Sequence, residues 1–468
     1  MTGSAVNTPR YGTAVVIGGS IAGSAAAVAL TEHFERTVVL DRDVLPASPS
    51  SRKGAPHSYH FHALLVGGKE AFEDLLPGLT DEAVALGVPL VDIAADTRIG
   101  QKVGWFPRFE HGKKLLMPTR RFLEWLIRRR VSTLPGVEYM AQTRVTGLLA
   151  ENGRVTGVRI VNEPGGAEQT ISADFVVDAS GRSSQAPEWL QAIGFPAPEE
   201  TVVNARWGYS TVYFRPPVGR EPSFATLYLS PTVSGSGLSA TRGGAAWAQE
   251  DGTWVLTAQG CAGDYPPGDF DGMREYLLSV GDPVLTELVS HVEPIAPVES
   301  WRNTSNRLRD FAGLSARPER FVAIGDSVAA YNPIYGQGMS VAAFSALELR
   351  AALAEFVREH TDRNLDGFAE RYQTRVSGII DGAWQFSTGS DFNIPGVELD
   401  GAPVPASAKP QASEYGDRVL ALAVEDPEIA AKFLETIHFL RTPEWMADEA
   451  LQQRVMKDWD RLGKFVRS

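Results

Sequence analysis

The stretch that decides the fold is Val15-Val16-Ile17-Gly18-Gly19-Ser20-Ile21-Ala22-Gly23, an apolar run that ends in a glycine cluster. A second apolar run, Val38-Val39-Leu40-Asp41, ends in an acid. The spacing predicts a βαβ unit, in which a strand, a tight turn and a helix lead to a second strand with a carboxylate at its end. A helix N-terminus beside a glycine turn binds phosphate groups, and the carboxylate binds ribose hydroxyls. The pattern therefore predicts a dinucleotide site.

Each position of the glycine cluster has a separate physical role. Gly18 allows the sharp exit from the first strand, and Gly23 lets the helix pack closely on the sheet. The middle position, where glycine normally lets the backbone approach phosphate, holds Ser20. Its Cβ narrows the approach, although its hydroxyl can donate to a phosphate oxygen. Asp41 lies 18 residues beyond Gly23, where the second strand is expected to end.

The first 30 residues also contain a segment that resembles a membrane span. Residues 13–30 carry no charge, a feature shared with signal peptides and membrane helices. The glycines stand in the middle of this segment, and Ser20 and Ser24 interrupt it. A buried strand followed by a buried helix explains the same residues, so we predict no membrane span.

The composition is that of a globular protein: 468 residues, 43% of them hydrophobic and 22% charged. The net charge of −13 disfavours nucleic acid and anionic lipid as partners, and it does not determine the oligomeric state. Cys261 is the single cysteine, so an intrachain disulfide is excluded and a cytoplasmic location is expected. His57, His60 and His62 crowd together without an adjacent acid or cysteine, so we predict no metal site.

The apolar patterns predict an α/β protein with a Rossmann-like βαβ domain and a smaller antiparallel-sheet domain, and the length of the chain allows the two domains to be interleaved or consecutive. The proposed cofactor domain comprises residues 10–90, 115–190 and 300–390. The proposed substrate domain comprises residues 91–114 and 191–299. A Gly/Pro-rich linker, from about Phe386 to Gln411, and a helical segment, Ser413 to Ser468, make up most of the remaining region, 391–468.

One segment of the substrate domain is rich in aromatic residues. Alternation along a strand predicted over Arg206 to Phe214 places Trp207, Tyr209, Thr211 and Tyr213 on one face. Two interpretations stay open. The aromatic face either packs inside the sheet in the ordinary way or lines a pocket for an apolar ligand.

A third informative segment lies about 300 residues after the glycine cluster. An apolar strand stops at Gly325-Asp326, and Gly336-Gln337-Gly338-Met339 precedes a helix predicted over Ser340 to His360. The free backbone N–H groups at this helix N-terminus, together with the positive end of its dipole, favour an electron-rich ligand.

Three separated motifs, Gly18 to Gly23, Asp178-Ala179-Ser180-Gly181-Arg182-Ser183, and Gly325-Asp326 through Met339, together resemble the FAD-dependent monooxygenase superfamily of the hydroxylase and epoxidase type. The resemblance covers roughly residues 12–390 and implies a para-hydroxybenzoate-hydroxylase-like fold. More narrowly, Arg52-Lys53-Gly54-Ala55-Pro56 followed by His60-Phe61-His62-Ala63-Leu64-Leu65 resembles a bacterial subgroup. That subgroup includes polyether-type olefin epoxidases and flavoproteins that assist polyketide cyclisation.

The resemblance implies a role for each part of the proposed FAD site. The glycine cluster approaches the pyrophosphate, Asp41 and Arg42 hold the adenosine ribose, and Asp326 binds the ribityl chain. The backbone of residues 336–339 faces the isoalloxazine ring, where it stabilises negative charge. The full implied set is Gly18, Gly19, Ser20, Ile21, Ala22, Gly23, Asp41, Arg42, Arg52, Lys53, Arg120, Val145, Asp178, Asp326, Pro333, Gly336, Gln337, Gly338 and Met339.

The activity implied by the resemblance is transfer of one oxygen atom from a flavin C4a-hydroperoxide to an apolar olefinic or aromatic secondary metabolite. Asp178-Ala179-Ser180-Gly181 departs from the Gly-Ala-Asp-Gly type of sequence usual in aromatic hydroxylases, so the electron source is NAD(P)H or a separate flavin reductase. No catalytic side chain is identified, because the cofactor performs the bond chemistry. A halogenase is disfavoured because the chain lacks a Trp-x-Trp-x-Ile-Pro sequence.

Two rival functions stay open. One is an FAD-containing cyclase that folds a polyene or polyketide for a decalin-forming cycloaddition without net redox change. The other is a non-enzymatic escort that uses the nucleotide-binding fold to carry an apolar partner. The monooxygenase hypothesis requires the regions around Ile17 and Tyr331 to converge on one cleft.

Overall fold

The structure is a computed structural model that describes residues 11–231, 240–360, 362–405 and 414–467. Its α-helices are α1 (Ile21–Leu30), α2 (Val66–Leu75), α3 (Leu79–Ala85), α4 (Arg120–Val131), α5 (Ala186–Ala192), α6 (Phe270–Leu278), α7 (Pro283–Ser290), α8 (Gly338–Glu359), α9 (Phe368–Asp391), α10 (Glu414–Glu425), α11 (Pro427–Ile437), α12 (Glu449–Lys457) and α13 (Trp459–Arg467). Its strands are β1 (Tyr11–Ile17), β2 (Phe34–Leu40), β3 (Leu90–Asp92), β4 (Thr97–Gln101), β5 (Gly104–Trp105), β6 (Lys114–Leu116), β7 (Val137–Met140), β8 (Thr143–Glu151), β9 (Arg154–Asn162), β10 (Glu168–Ser172), β11 (Phe175–Asp178), β12 (Glu200–Asn204), β13 (Gly208–Phe214), β14 (Thr226–Leu229), β15 (Arg242–Ala248), β16 (Trp254–Gly260), β17 (Glu299–Trp301), β18 (Asn306–Arg309), β19 (Phe321–Ala323), β20 (Ala329–Ala330), β21 (Glu398–Leu399) and β22 (Ala402–Pro403).

A parallel sheet of five strands, in the order β19-β11-β1-β2-β7, carries the predicted βαβ unit. The central strand β1 aligns Val16 with Val39 on one side and with Val177 on the other. Both faces of these strands are buried, as expected for parallel strands covered by helices. Helix α1 is rich in alanine, and its small side chains let it pack closely between the sheet and α8.

The segment predicted to be a buried strand and helix rather than a membrane span occupies this sheet. Residues 13–30 form most of β1 and all of α1, and Ser24 is buried within the helix. Among the described residues, no helix combines the length and the apolar character needed to cross a bilayer.

An antiparallel arrangement makes up the second part of the fold. Seven strands pair in the order β17-β13-β16-β15-β14-β4-β5, and every pair is antiparallel except β14 with β4. A further sheet, β20-β18-β12-β21-β22, contacts α9 through β12 and β18. The predicted α/β class, with an interleaved antiparallel sheet and C-terminal helices, is confirmed.

The predicted domain boundaries stay a prediction. The sheets show which strands within and next to the predicted segment 91–114 pair with one another. Within residues 91–114, β4 and β5 extend the seven-stranded sheet. At the two ends of this segment, β3 instead pairs with β6 in a separate two-stranded sheet. One segment of chain therefore contributes to two sheets.

The predicted linker begins later than the sequence suggested. Helix α9 continues through Phe386 to Asp391, where glycine, serine and threonine are weak helix formers. Tertiary contacts compensate, because the Ser387 hydroxyl donates to Asn306 Oδ1 at 2.6 Å and Asp391 is fully buried. The linker prediction is therefore wrong for residues 386–391, and residues 406–411 lie outside the described part of the chain.

Hydrogen bonds to His438, which directly follows α11, connect the C-terminal helices to the start of α2. The backbone N–H of Gly67 donates to the carbonyl of His438 at 2.9 Å, and the N–H of Val66 donates to His438 Nδ1 at 3.4 Å. His438 is buried, and burial, together with His111, lowers its pKa to about 4. The imidazole is therefore neutral at neutral pH and accepts at Nδ1.

We expect His438 to make the protein less stable as the pH falls. Between about pH 6.5 and pH 4 the unfolded chain protonates this imidazole and the folded chain does not, so the free energy of unfolding falls by about 1.4 kcal/mol per pH unit from this group. Chemical denaturation across this pH range measures the slope. His438→Asn keeps an acceptor without a titrating group, and its slope should be shallower. An identical slope in both proteins contradicts the prediction.

Candidate functional site

A cleft of about 680 Å³ opens at the carboxyl ends of the parallel strands. Ile17 ends β1 at one side of it, and Tyr331 follows β20 at the other. Segments about 300 residues apart thus meet at one site, as the hypothesis requires. In open parallel sheets, ligands bind at this edge, where loops and helix N-termini converge.

The glycine turn forms one end of the cleft. Gly18 has a φ of +102°, and a Cβ there would lie 2.5 Å from the carbonyl oxygen of Ala179. At Gly23, a Cβ would lie only 1.8 Å from the carbonyl oxygen of Gly18. Ser20 and Ile21 line the cleft at the start of α1, so this helix presents the positive end of its dipole to a bound anion.

Ser20 takes part in a buried charge cluster that sequence analysis missed. Its hydroxyl donates to Glu124 Oε2 at 2.9 Å and accepts from Arg120 Nη2 at 2.8 Å. Glu124 also binds Arg52, with 2.5 Å between Nε and Oε1, and Arg120, with 2.8 Å between Nη1 and Oε2. Although burial opposes ionisation, Arg120 and Arg52 outweigh it and lower the pKa of Glu124 to about 2. The carboxylate is ionised and fixes two cleft-lining arginines.

Asp41, the acid that directly follows β2, is also fixed by hydrogen bonds and an ion pair. Asp41 Oδ2 accepts the backbone N–H of Gly19 at 2.8 Å, and Oδ1 accepts the N–H of Asp43 at 2.9 Å. Arg52 Nη1 lies 3.3 Å from Asp41 and 2.7 Å from Asp43. Arg42 and Asp41 both line the cleft, so a carboxylate and a cation are available beside the glycine turn.

Asp326 and the start of α8 line another part of the cleft, next to α1, because a Cβ on Gly325 would lie 2.8 Å from the Cβ of Ala22. The Asp326 carboxylate is open to the cleft and accepts no hydrogen bond from the described residues, while protein around its other sides raises its pKa. Gly336 has a φ of +67°, which L residues rarely adopt. A Cβ on Gly338 would lie 3.5 Å from Asp326 Oδ1, so the carboxylate lies beside the first residue of α8.

Most of the predicted cofactor residues line this cleft, and three do not. Gly19 and Gly23 lie behind the turn, where they shape it through the contacts described above. Asp178 has no exposed surface, and its carboxylate accepts bonds from Ser180 and Ser184. Its position supports the turn after β11. The predicted residues that line the cleft are Gly18, Ser20, Ile21, Ala22, Asp41, Arg42, Arg52, Lys53, Arg120, Val145, Asp326, Pro333, Gly336, Gln337, Gly338 and Met339.

The aromatic face of the antiparallel sheet does not line this cleft. The Tyr209 ring lies 4.8 Å from His60, and the Tyr213 hydroxyl donates to the carbonyl of Tyr59 at 2.7 Å. The indole of Trp207 instead donates to Asp391 at 2.9 Å. Residues 56–62, which sequence analysis considered for metal binding, cover this face, so of the two interpretations left open the structure favours internal packing for Tyr209 and Tyr213.

Residues 56–62 also contribute two neutral imidazoles to the cleft. Burial and Arg120 lower the pKa of His57 to about 3, and burial and His57 lower the pKa of His62. His62 Nδ1 lies 2.9 Å from the carbonyl oxygen of His60, so Nδ1 donates and Nε2 is left as an acceptor. Among the described residues, no group of three His, Cys, Asp or Glu side chains is placed to bind a metal ion.

Other cleft residues were outside the predicted set: Thr143, Arg144, Arg182, Trp301 and Asn303. Arg182 occurs in the quoted turn after β11, and its guanidinium donates to the carbonyl of Tyr331 at 3.4 Å. Trp301 ends β17, beyond any motif. The signal for Arg182 was available in the sequence, whereas Trp301 reaches the cleft only through the tertiary fold.

A family model described as an FAD binding domain matches residues 11–383. The chain belongs to this FAD-binding family. It is therefore a flavoprotein, and FAD is its cofactor. The finer resemblance to polyether-type epoxidases stays a prediction.

Two proteins are similar to this chain in sequence over most of its length. Protein Rv3254 of Mycobacterium tuberculosis is 31% identical over 451 residues, which cover 94% of this chain and 92% of that protein. Kynurenine 3-monooxygenase of Salinispora arenicola is 26% identical over 365 residues, which cover 75% of this chain and 73% of that enzyme.

Solved flavoproteins share the fold. The flavin-dependent brominase Bmp2 superimposes with a TM-score of 0.64 at 15% identity, covering 96% of this chain and 98% of Bmp2. PqsL of Pseudomonas aeruginosa, a probable FAD-dependent monooxygenase, superimposes with a TM-score of 0.60 at 15% identity, covering 82% of this chain and 96% of PqsL. At this level of identity, the likeness concerns the fold.

The residues of the cleft fit FAD. The N-terminus of α1, with Arg52 and Arg120 beside it, suits the diphosphate, and the Asp41 carboxylate suits ribose hydroxyls. Asp326, whose carboxylate has no hydrogen-bond donor among the described residues, suits the ribityl hydroxyls. The backbone of residues 336–339 at the N-terminus of α8 suits the electron-rich edge of the isoalloxazine ring.

We expect Asp326→Ala to weaken FAD binding about tenfold or more, because a charge-assisted contact contributes roughly 1.5 to 3 kcal/mol. Titration of the FAD-free protein with FAD, followed by flavin fluorescence, measures the dissociation constant. The FAD-free variant should be about as stable as the parent, because the exposed Asp326 carboxylate accepts no hydrogen bond from the described residues. Asp326→Asn should lie between the two. Unchanged FAD affinity in Asp326→Ala would leave this residue with a turn-forming role only.

Proposed function

We propose that this flavoprotein is a monooxygenase that transfers one oxygen atom from dioxygen to an apolar, electron-rich secondary metabolite, by epoxidation of an olefin or hydroxylation of an aromatic ring. The observation that carries the proposal is the single cleft that joins the glycine turn to Asp326 and the N-terminus of α8. The similarity to kynurenine 3-monooxygenase supports an oxygenase reaction. NAD(P)H, directly or through a flavin reductase, is the proposed electron source.

The distribution of charge along the cleft supports a neutral substrate. Arg42, Arg52, Lys53 and Arg120 cluster near the glycine turn, where the diphosphate is expected. Near α8, the lining includes the uncharged residues Trp301, Asn303, Tyr331, Asn332 and Pro333. The charged groups there are Asp326, which is assigned to the ribityl chain, and Arg182, whose guanidinium donates to the carbonyls of Ser305 and Tyr331. A neutral, largely apolar substrate can approach this end without loss of ionic hydration.

When bound, FAD supplies the redox chemistry and the activation of dioxygen. The chain itself has three tasks: orientation, stabilisation of charge and exclusion of water. The N-terminus of α8 stabilises negative charge at the ring, and the covering segment 56–62 separates the cleft from the sheet. His57 and His62 lie in this segment as neutral imidazoles, so they can exchange hydrogen bonds without adding charge.

A cytoplasmic location is part of the proposal. Reduced pyridine nucleotides are available there, and the sequence places Cys261 alone, without a partner for an intrachain disulfide. Cys261 is also buried, and burial raises the pKa of its thiol to about 12. A thiol in this state is protected from oxidation and takes no part in the proposed reaction.

The test uses purified protein with FAD, dioxygen, NADH or NADPH, and either a neutral terpenoid olefin or a neutral phenol. We expect a substrate to stimulate oxidation of the nicotinamide and to give a product heavier by one oxygen atom. If neither NADH nor NADPH is oxidised, the bound FAD is reduced with light instead, and the reduced enzyme is then mixed with dioxygen and substrate. When the reaction is run under isotopically labelled dioxygen, the oxygen atom added to the product must carry the label. Absence of oxygenated product from the photoreduced enzyme with either substrate class contradicts the proposal.

The same experiment examines the cyclase alternative. A polyene substrate is incubated with the FAD-loaded protein in the absence of reductant and dioxygen. An isomeric, cyclised product formed under these conditions overturns the monooxygenase proposal and supports a cycloaddition. The monooxygenase proposal predicts that the polyene is recovered unchanged.

A further inference from the structure

Asp391, the last residue of α9, lies at the centre of a buried network of hydrogen bonds. It has no exposed surface. Oδ1 accepts from Trp207 Nε1 at 2.9 Å and from the Tyr335 hydroxyl at 2.8 Å. Oδ2 accepts from Asn306 Nδ2 at 2.7 Å, and Asn332 Nδ2 lies 3.2 Å from Oδ1 and 3.1 Å from Oδ2. Four neutral side chains thus donate to one carboxylate.

No lysine, arginine or histidine among the described residues forms an ion pair with Asp391. Transfer of an uncompensated carboxylate out of water is costly, so donors must be aimed at it from several directions. Burial raises the pKa of Asp391 to about 6, and its four donors limit this rise. At neutral pH the carboxylate is therefore ionised, and the donors form charge-assisted hydrogen bonds.

The four donors come from three parts of the fold. Trp207 precedes β13 in the antiparallel sheet, and Asn306 begins β18. Asn332 and Tyr335 belong to residues 332–338, the segment that leads from β20 into α8 and lines the cleft. The carboxylate of Asp391 therefore joins two sheets and the cleft segment at a single point.

Asn332 transmits this connection to the cleft. Its side chain donates to Asp391, while its backbone N–H donates to Asn306 Oδ1 at 2.8 Å. Its own Oδ1 accepts the N–H of Ile334 at 3.2 Å, and the turn over Pro333–Tyr335 then leads to Gly336. Asn332 itself lines the cleft, whereas Asp391 does not. Asn332 therefore connects the buried carboxylate to the lining of the cleft.

We propose that Asp391 is a positioning residue for the flavin ring: through Asn332 and Tyr335 it fixes residues 332–338 and thereby sets both the affinity for FAD and the redox potential of the bound flavin. The inference rests on FAD binding and is independent of the proposed substrate. Its measurements concern bound flavin alone, so failure of the oxygenation experiment leaves it intact.

Asp391→Asn tests the proposal. The amide keeps the shape of the side chain, but its Nδ2 faces the N–H donors of Asn306 and Asn332 when it replaces Oδ2. When it replaces Oδ1 it faces the N–H donors of Trp207 and Asn332, and in either case two donors cannot pair. We expect the dissociation constant for FAD to rise about tenfold, since charge-assisted contacts to the cleft segment are lost. The visible absorption band and the midpoint potential of the bound flavin should also shift.

Asp92→Asn is the matched control. Asp92 is also buried, and its carboxylate lies 3.5 Å from Lys114 Nζ and accepts backbone N–H groups of residues that do not line the cleft, namely Ala94, Ala95, His111 and Gly112. It should lower the melting temperature without changing the FAD dissociation constant, the spectrum or the potential. Flavin properties unchanged in Asp391→Asn, or changed equally in Asp92→Asn, overturn the proposal.

If Asp391→Asn does not fold, Tyr335→Phe provides the test. It removes one donor from the cleft segment and leaves the carboxylate with three donors. We expect FAD affinity to fall about fivefold, with a shift of the flavin spectrum. Trp207→Phe removes a donor to the same oxygen from the sheet side, and it should shift the spectrum in the same way. Wild-type flavin spectra in both variants overturn the proposal.

Discussion

Replacement of Arg52 with alanine is expected to lower the free energy of unfolding by about 3 to 5 kcal/mol, the loss typical of a broken buried ion-pair network. The guanidinium contacts Glu124, Asp43 and Asp41, and all four side chains are less than a tenth exposed. Without it, three buried carboxylates lose a shared cation. Arg120 remains to compensate Glu124 in part.

The same replacement should weaken FAD binding, because Arg52 lines the cleft beside the glycine turn. Chemical denaturation of the FAD-free protein isolates the loss of stability, and FAD titration then isolates the loss of affinity. Arg36→Ala is the control, since the pair that Arg36 forms with Glu138 is half exposed and should contribute less than about 1 kcal/mol. Equal destabilisation by the two variants contradicts the buried-network account.

Gly23→Ala is expected to lower the free energy of unfolding by about 3 kcal/mol, at the upper end for overpacked positions. The added Cβ would lie 1.8 Å from the carbonyl oxygen of Gly18, which is backbone and cannot rotate away. Helix α1 must therefore move from β1, and the glycine turn moves with it. Loss of bound FAD on gel filtration should accompany the lower stability.

Gly382→Ala is the matched control for Gly23→Ala. Gly382 lies within α9, it is exposed, and no atom would lie within 4 Å of an added Cβ. Because alanine has the higher helix propensity, this variant should be stabilised by about 0.5 to 1 kcal/mol. Destabilisation in both variants would point to a general intolerance of alanine and against the specific contact at Gly23.

The sequence predicted those parts of the fold and site that depend on local chemistry. Gly18 must leave β1 with a positive φ, and Asp41 ends a strand of strong β-formers, so both are recognisable from neighbouring residues alone. The same holds for Gly336, Gly338 and the helix that follows. At these positions local propensity and the final structure agree.

The remainder depends on contacts between distant residues, which no local pattern contains. Ser20 and Glu124 are 104 positions apart in the sequence, yet the Ser20 hydroxyl donates to the Glu124 carboxylate. Ser20 therefore belongs to the buried charge cluster and also lines the cleft. Asp391 was absent from the predicted site because its donors come from separate elements. Helix α9 likewise passes through weak helix formers because buried hydrogen bonds at its end compensate.

The order in which the parallel strands are synthesised has a consequence for the nascent chain. Strand β1 is central, yet its neighbour β11 begins about 135 residues after β2 ends, and the edge strand β19 follows only at Phe321. At ribosomal rates this gap lasts on the order of ten seconds, during which an apolar strand edge has no native neighbour. Chaperone demand and aggregation during translation should therefore peak before β11 emerges.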